Sequence, residues 1–93
     1  EGFGSRRKPS DDCTLLLYPN PAGEELQVYF TGPAGDEHHF RILDAQGREW
    51  RRFATRLPEV TLLVEVGELP GGVYFLQYLR DGRAVRVERF VKR

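Results

Sequence analysis

Apolar and polar positions alternate along most of this chain, and the alternation restarts wherever proline or glycine intervenes. In Glu25–Phe30, Leu26, Val28 and Phe30 share one parity while Gln27 and Tyr29 take the other, which is the pattern of a half-buried strand. His39–Leu43 repeats it with Phe40 and Ile42 against Arg41, and Glu59–Val66 repeats it with Val60, Leu62, Val64 and Val66. Thr14–Tyr18 is a short apolar run cut off by Pro19, and Arg48–Thr55 carries Trp50 as its anchor. No window holds apolar residues at helical spacing for three turns. With the run that begins at Val73 and ends before Asp81-Gly82, and with Ala84–Lys92, this makes seven short strands, an all-β pattern that predicts an antiparallel sandwich or a small barrel.

The strongest of these strands is Val73-Tyr74-Phe75-Leu76-Gln77-Tyr78-Leu79. Tyr74, Leu76 and Tyr78 lie on one face, and Gln77 on the opposite parity assigns that face to the core. Val73, Phe75 and Leu79 make the other face apolar as well, which suggests an interior strand with little exposure on either side. Pro70 lacks an N–H, and Gly71 and Gly72 can each take positive φ, so the entry is a sharp turn. Asp81-Gly82 at the exit predicts a type I′ hairpin into Ala84–Lys92.

Between strands, Pro19-Asn20-Pro21-Ala22-Gly23 can be neither helix nor inner strand, and Tyr18 and Asn20 are pushed to extended conformations by the prolines that follow them. Gly32–Asp36, Asp44–Gly47 and Leu57-Pro58 mark the other turns. Residues 1–13 (EGFGSRRKPSDDC) mix glycine, serine, proline and both charge signs, and read as a linker and cleavage region or an expression-vector remnant. Residues 14–93 are the expected folded domain.

Composition narrows the function classes. Fourteen basic residues balance fourteen acidic ones, which removes the global attraction expected of a nucleic-acid or anionic-membrane binder. Cys13 is the single cysteine, so packing alone must hold the fold. No apolar run approaches the roughly 18–20 residues that span a bilayer, so direct membrane insertion is not expected. The chain has no methionine, even at position 1, and reads as a piece excised from a longer polypeptide.

Candidate chemistry is sparse. Asp36-Glu37-His38-His39 has metal-binding residue types, but neighbours on a strand point to opposite faces and no second ligand cluster exists, so the run reads as a polar loop. Cys13 lies in or beside the linker, far in sequence from either histidine, and reads as an inert thiol. Arg48, Arg51, Arg52 and Arg56, interleaved with Trp50 and Phe53, could track phosphate and stack bases. Glu49 and Glu59 flank the run, and a solvated sheet face with arginine stems over apolar surface explains it equally. No catalytic set, metal or cofactor is assigned.

Taken together, the motifs follow a recognisable order: Leu17-Tyr18-Pro19-Asn20-Pro21-Ala22, then Leu26-Gln27-Val28, Arg41-Ile42-Leu43-Asp44, Gly47-Arg48, Val64-Glu65-Val66, Leu69, Gly72-Val73-Tyr74-Phe75-Leu76, and finally Arg89-Phe90-Val91-Lys92. In that order and spacing, from about Leu15 onward, the chain resembles the C-terminal sorting domain of type IX secretion cargo proteins, the Por secretion tail family of Bacteroidetes-type bacteria. The resemblance implies an immunoglobulin-like antiparallel β-sandwich that acts as an address and not as an enzyme. An upstream cargo domain would be carried through the periplasm and across the outer membrane, to be secreted or held at the cell surface. The implied partners are the outer-membrane translocon, its shuttle proteins and a surface transpeptidase acting in the linker, with no nucleic acid among them. Pro19, Asn20, Pro21, Asp44, Gly47, Leu69, Gly72, Tyr74 and Lys92 match the family pattern and are the recognition candidates. Trp50 is bulkier than the small aliphatic residue that pattern implies. The alternative is an immunoglobulin-like carbohydrate- or surface-binding accessory module, which requires Trp50 or Tyr29 to lie accessible in a groove.

Overall fold

A computed structural model describes residues 13–93. Seven strands follow in order: β1 (Thr14–Tyr18), β2 (Glu25–Thr31), β3 (His38–Asp44), β4 (Glu49–Thr55), β5 (Glu59–Glu65), β6 (Gly72–Arg80) and β7 (Arg83–Lys92). They form a three-stranded sheet in the order β1-β2-β5 and a four-stranded sheet in the order β4-β3-β6-β7, with every strand pair antiparallel. The chain thus crosses between sheets after β2, β4 and β5. This is the A-B-E and C′-C-F-G arrangement of an immunoglobulin-like sandwich. The linker reading for residues 1–12 lies outside the described residues.

The inward parity of each central strand supplies the core. Leu26, Val28 and Phe30 from β2 face Phe40 and Ile42 from β3 and Tyr74, Leu76 and Tyr78 from β6, all of them buried. Phe30 meets Phe40 edge-on, with 5.0 Å between ring centroids, and Tyr78 packs obliquely against Phe30 at 4.8 Å. Such arrangements suit the quadrupoles of aromatic rings and add to the burial itself. β6 is an interior strand, as its composition predicted. Its outer residues Val73, Phe75 and Gln77 are only half-buried, so that face retains some solvent. Leu79 is buried too, but outside the core cluster and opposite His39 of β3; the slip between β6 and β7 leaves Val85 without an opposite residue, a bulge in β7. At the hairpin tip Asp81 and Gly82 have φ of 52° and 78°, as a type I′ turn requires.

Two local expectations are corrected. His38 is not part of a polar loop: it opens β3 and is buried, while His39 points out to solvent beside Glu37. His38 Nε2 lies 2.9 Å from the Pro33 carbonyl, which can only accept, so that nitrogen carries the proton; Nδ1 then accepts from the Tyr78 hydroxyl at 2.9 Å. Burial pushes the Tyr78 phenol up to about 12, so it remains a donor. Cys13 is buried within the core cluster and its carbonyl accepts from Arg86 Nη1 at 2.7 Å, so the ordered fold already includes it. Of the two glycines entering β6, Gly72 alone has positive φ, at 153°.

The two long sides of the sandwich differ. Where β1 meets β7, the chain is sewn shut: Ala22 N–H donates to Val91 O at 2.7 Å, Arg93 N–H to Ala22 O at 3.0 Å, and Ala22 forms a parallel bridge with Lys92. On the other side, β4 and β5 are the edge strands of their respective sheets and do not pair with each other.

Candidate functional site

The direction of the strands decides where the recognition candidates lie. β1, β3, β5 and β7 all run toward one end of the sandwich, and β2, β4 and β6 run away from it. The β1–β2 corner, the β3–β4 turn, the β5–β6 turn and the last residues of β7 therefore gather at that end. All nine recognition candidates stand there, and Cys13 stands at the opposite end. Asp44, Leu69, Tyr74 and Lys92 are buried, whereas Pro19, Asn20, Pro21, Gly47 and Gly72 are exposed.

Asp44 organises the β3–β4 turn. Its Oδ1 accepts from the backbone N–H groups of Gln46 and Arg48, both at 2.9 Å, and its Oδ2 accepts from Arg48 Nε at 3.0 Å and from the Trp50 indole N–H at 2.9 Å. The Trp50 bond does most to hold this carboxyl down at about 2, against the opposing effect of burial, and the Arg48 and Gln46 donors add to it. Trp50 can reach it because β4 bulges there. Ile42 pairs with Arg51 and Leu43 with Glu49, so Trp50 has no opposite residue and its side chain turns toward the turn. The Arg48 guanidinium covers the indole at 5.0 Å. Gly47, at φ 84°, supplies the left-handed position that closes the turn, and its N–H donates to Asp44 O at 2.9 Å.

Tyr74 holds the neighbouring turn. Its hydroxyl donates to Pro70 O at 2.6 Å, and its ring stacks on Phe90 of β7 at 5.6 Å. Burial and then the nearby Asp44 charge raise its pKa, so it stays protonated and donating. Leu69 is buried beneath the turn, its N–H donating to Val66 O at 3.0 Å. Gly72 lies opposite Lys92 in register, and Lys92 folds inward with Nζ 3.1 Å from Arg93 O. Between the β3–β4 turn and Pro70–Tyr74 lies an open cleft of roughly 270 Å³ walled by Trp50 and Tyr74.

The third part is the proline corner, whose Tyr18–Pro19 and Asn20–Pro21 bonds are both cis. Asn20 Oδ1 accepts from Val91 N–H at 3.0 Å, and its Nδ2 reaches Arg89 O at 3.5 Å. The side-chain amide thus meets β7 with one donor and one acceptor, as a strand's peptide group does. The motif residues nearest each end of the chain are in contact.

Two partners escaped the sequence reading. Trp50 looked like a departure from the pattern, yet it is a ligand of the Asp44 carboxylate. Ala22, fully buried, is the backbone link to β7. The convergence itself could have been counted: in a chain of antiparallel strands that reverses at each connection, alternate connections fall at one end.

The arginine-rich strand turns out to be ion-paired. Arg52 makes two bonds to Glu49 at 2.8 and 3.0 Å, Arg51 lies 3.6 Å from Glu68, and Arg56 lies 3.9 Å from Glu37. Arg51, Arg52 and Arg56 thus each have a carboxylate beside them, as on a solvated sheet face. Tyr29 is half-buried and donates its hydroxyl to Glu59 at 2.8 Å, while Trp50, half-buried with Arg48 over its ring, lines the open cleft beside Tyr74.

Comparison with known families gives a single description. The family model for the secretion system C-terminal sorting domain matches residues 16–93. Among curated proteins, none matches the chain significantly.

Proposed function

This chain belongs to the secretion system C-terminal sorting domain family, and on that premise we propose that the turn-rich end of the sandwich is the face its secretion machinery reads. The domain is a C-terminal sorting signal for the type IX secretion system, and the cargo it serves is exported from the cell. In the finer reading, the outer-membrane translocon and its shuttle proteins bind the end built by Pro19-Asn20-Pro21, Asp44–Gly47 and Leu69–Tyr74. The domain acts as a substrate and an address, without catalysis. A surface transpeptidase cuts within residues 1–13 and leaves the cargo at the cell surface.

The convergence of all nine motif residues at one end carries this reading. β1 begins at the far end, so a cargo joined ahead of Cys13 would leave the motif end unobstructed. The roles within the motif then divide. Asp44, Leu69, Tyr74 and Lys92 shape the end from inside, and the exposed turn residues around them form what a partner touches.

A fusion of a signal peptide, a passenger and residues Ser10–Arg93 should reach the surface of a host with this secretion system. Export unchanged after deletion of Val85–Arg93 would sink the reading. The finer claim is tested by Ala45→Arg with Gln46→Arg, both exposed positions of the β3–β4 turn. Export should fall while Tm stays put; full export of the double variant would move recognition to another face.

A further inference from the structure

We propose that the open side between β4 and β5 is a second interaction surface, one that takes an extended strand of a partner protein whose apolar residues are flanked by lysine or arginine. Among the described residues β5 pairs with β2 alone and β4 with β3 alone, so each presents an outer edge of backbone groups available to another chain. A groove of roughly 270 Å³ runs between them, its apolar wall made by Phe53 and Ala54 from β4 and Leu62, Leu63 and Val64 from β5, with Arg51, Arg52 and Glu65 along it. Leu63, on the outer face of the same strand, is 60% exposed. A strand added to the edge of β5 would set one row of side chains into this groove and the alternate row beside Leu63, the geometry of β-augmentation.

Charge selects the partner. Arg51 and Glu65 also line a neighbouring cavity of roughly 250 Å³ that carries Glu24, Glu25 and Glu68, where among the described residues Arg51, 3.6 Å from Glu68, is the one cation. Four carboxylates facing one guanidinium favour an incoming cation. The same pattern disfavours a second copy of this chain. Antiparallel self-pairing of β5 (EVTLLVE) centred on Leu62 sets Glu59 against Glu65 at both ends, and self-pairing of β4 centred on Arg52 sets that arginine against itself. Like charges directly opposite one another are destabilising. On the opposite side of the sandwich, Ala22 and Asn20 already occupy the end of the β7 edge, at residues 89–93.

This surface is separate from the motif end, and its test does not depend on export. The probe is a nine-residue peptide of alternating valine and threonine with a lysine at each end, added to the ¹⁵N-labelled 93-residue chain. Amide shifts confined to β4 and β5 are expected, with binding weakened at least tenfold by Glu65→Lys/Glu68→Lys and abolished for the same peptide ended in glutamate. Leu63→Lys, on an exposed position, should also weaken binding while leaving the spectrum folded. Shifts at the motif end or on β1, equal binding of the glutamate-ended peptide, or no shift at millimolar peptide would overturn the proposal. A concentration-dependent dimer that shifts β5 without peptide would overturn it in favour of self-association.

Discussion

The Asn20 side chain and the Val91 backbone N–H meet at 3.0 Å across 71 residues of sequence, so a side-chain amide caps the end of the β7 edge. Removing it in Asn20→Ala should cost roughly 0.5–1.5 kcal/mol, the net worth of such a bond. For a domain of this size that is a Tm lower by on the order of 5 °C. Amide exchange at Val91 should quicken while that of β6 stays slow.

Asp44 predicts a pH dependence. Its folded pKa of about 2 lies below the model-peptide value of 3.8, so the unfolded chain binds more protons between those values and stability rises with pH there. The contribution is fully present above about pH 4–5 and is lost as pH falls through 3.8 toward 2. Asp44→Asn cannot titrate. Thermal melts of the wild type should therefore fall more steeply from pH 5 to pH 2 than those of the variant, which starts from a lower Tm at pH 7.

Tyr74 separates folding from recognition. Tyr74→Ala removes the ring stacked on Phe90 and should cost roughly 3–5 kcal/mol, as other buried aromatic truncations do. Tyr74→Phe keeps the stack and loses the bond to Pro70 O, at roughly 1 kcal/mol. Export should follow these Tm values, with the phenylalanine variant close to wild type. A Tyr74→Ala protein that melts normally and still fails to be exported would refute the folding explanation.

The two glycines before β6 should behave differently. A Cβ on Gly72 would meet nothing within 4 Å, so Gly72→Ala pays only for φ 153°, about 1–3 kcal/mol. A Cβ on Gly71 would sit 3.5 Å from Lys92 O, an ordinary contact at a position without positive φ. Chemical denaturation should show a lower midpoint for Gly72→Ala and one near wild type for Gly71→Ala.

The sequence made legible whatever depends on neighbours along the strand. The parity of Leu26, Val28 and Phe30 and the Asp81-Gly82 turn are local properties, and the fold follows them. His38 was illegible because its burial depends on Tyr78, 40 residues away, and because Pro33 folds back to accept its other nitrogen. The burial of Cys13 likewise rests on a distant strand, through Arg86. Trp50 was misjudged because its orientation comes from a bulge, and a bulge leaves no mark in the alternation. The motif residues themselves were readable as a set. Their meeting in space required the direction of every strand.

The stitches between Ala22 and residues 91–93 have a consequence for how the domain is made. The β1–β2 corner is finished by β7, so a product that stops short of β7 cannot display a completed motif end. A polypeptide truncated before Arg89 would keep Pro19, Asp44, Gly72 and Tyr74 and still lack the backbone that Asn20 and Ala22 grip. The fold thus ties the shape of its earliest corner to its seventh strand: the corner set up at Pro19–Ala22 takes its final form only when β7 arrives to close it.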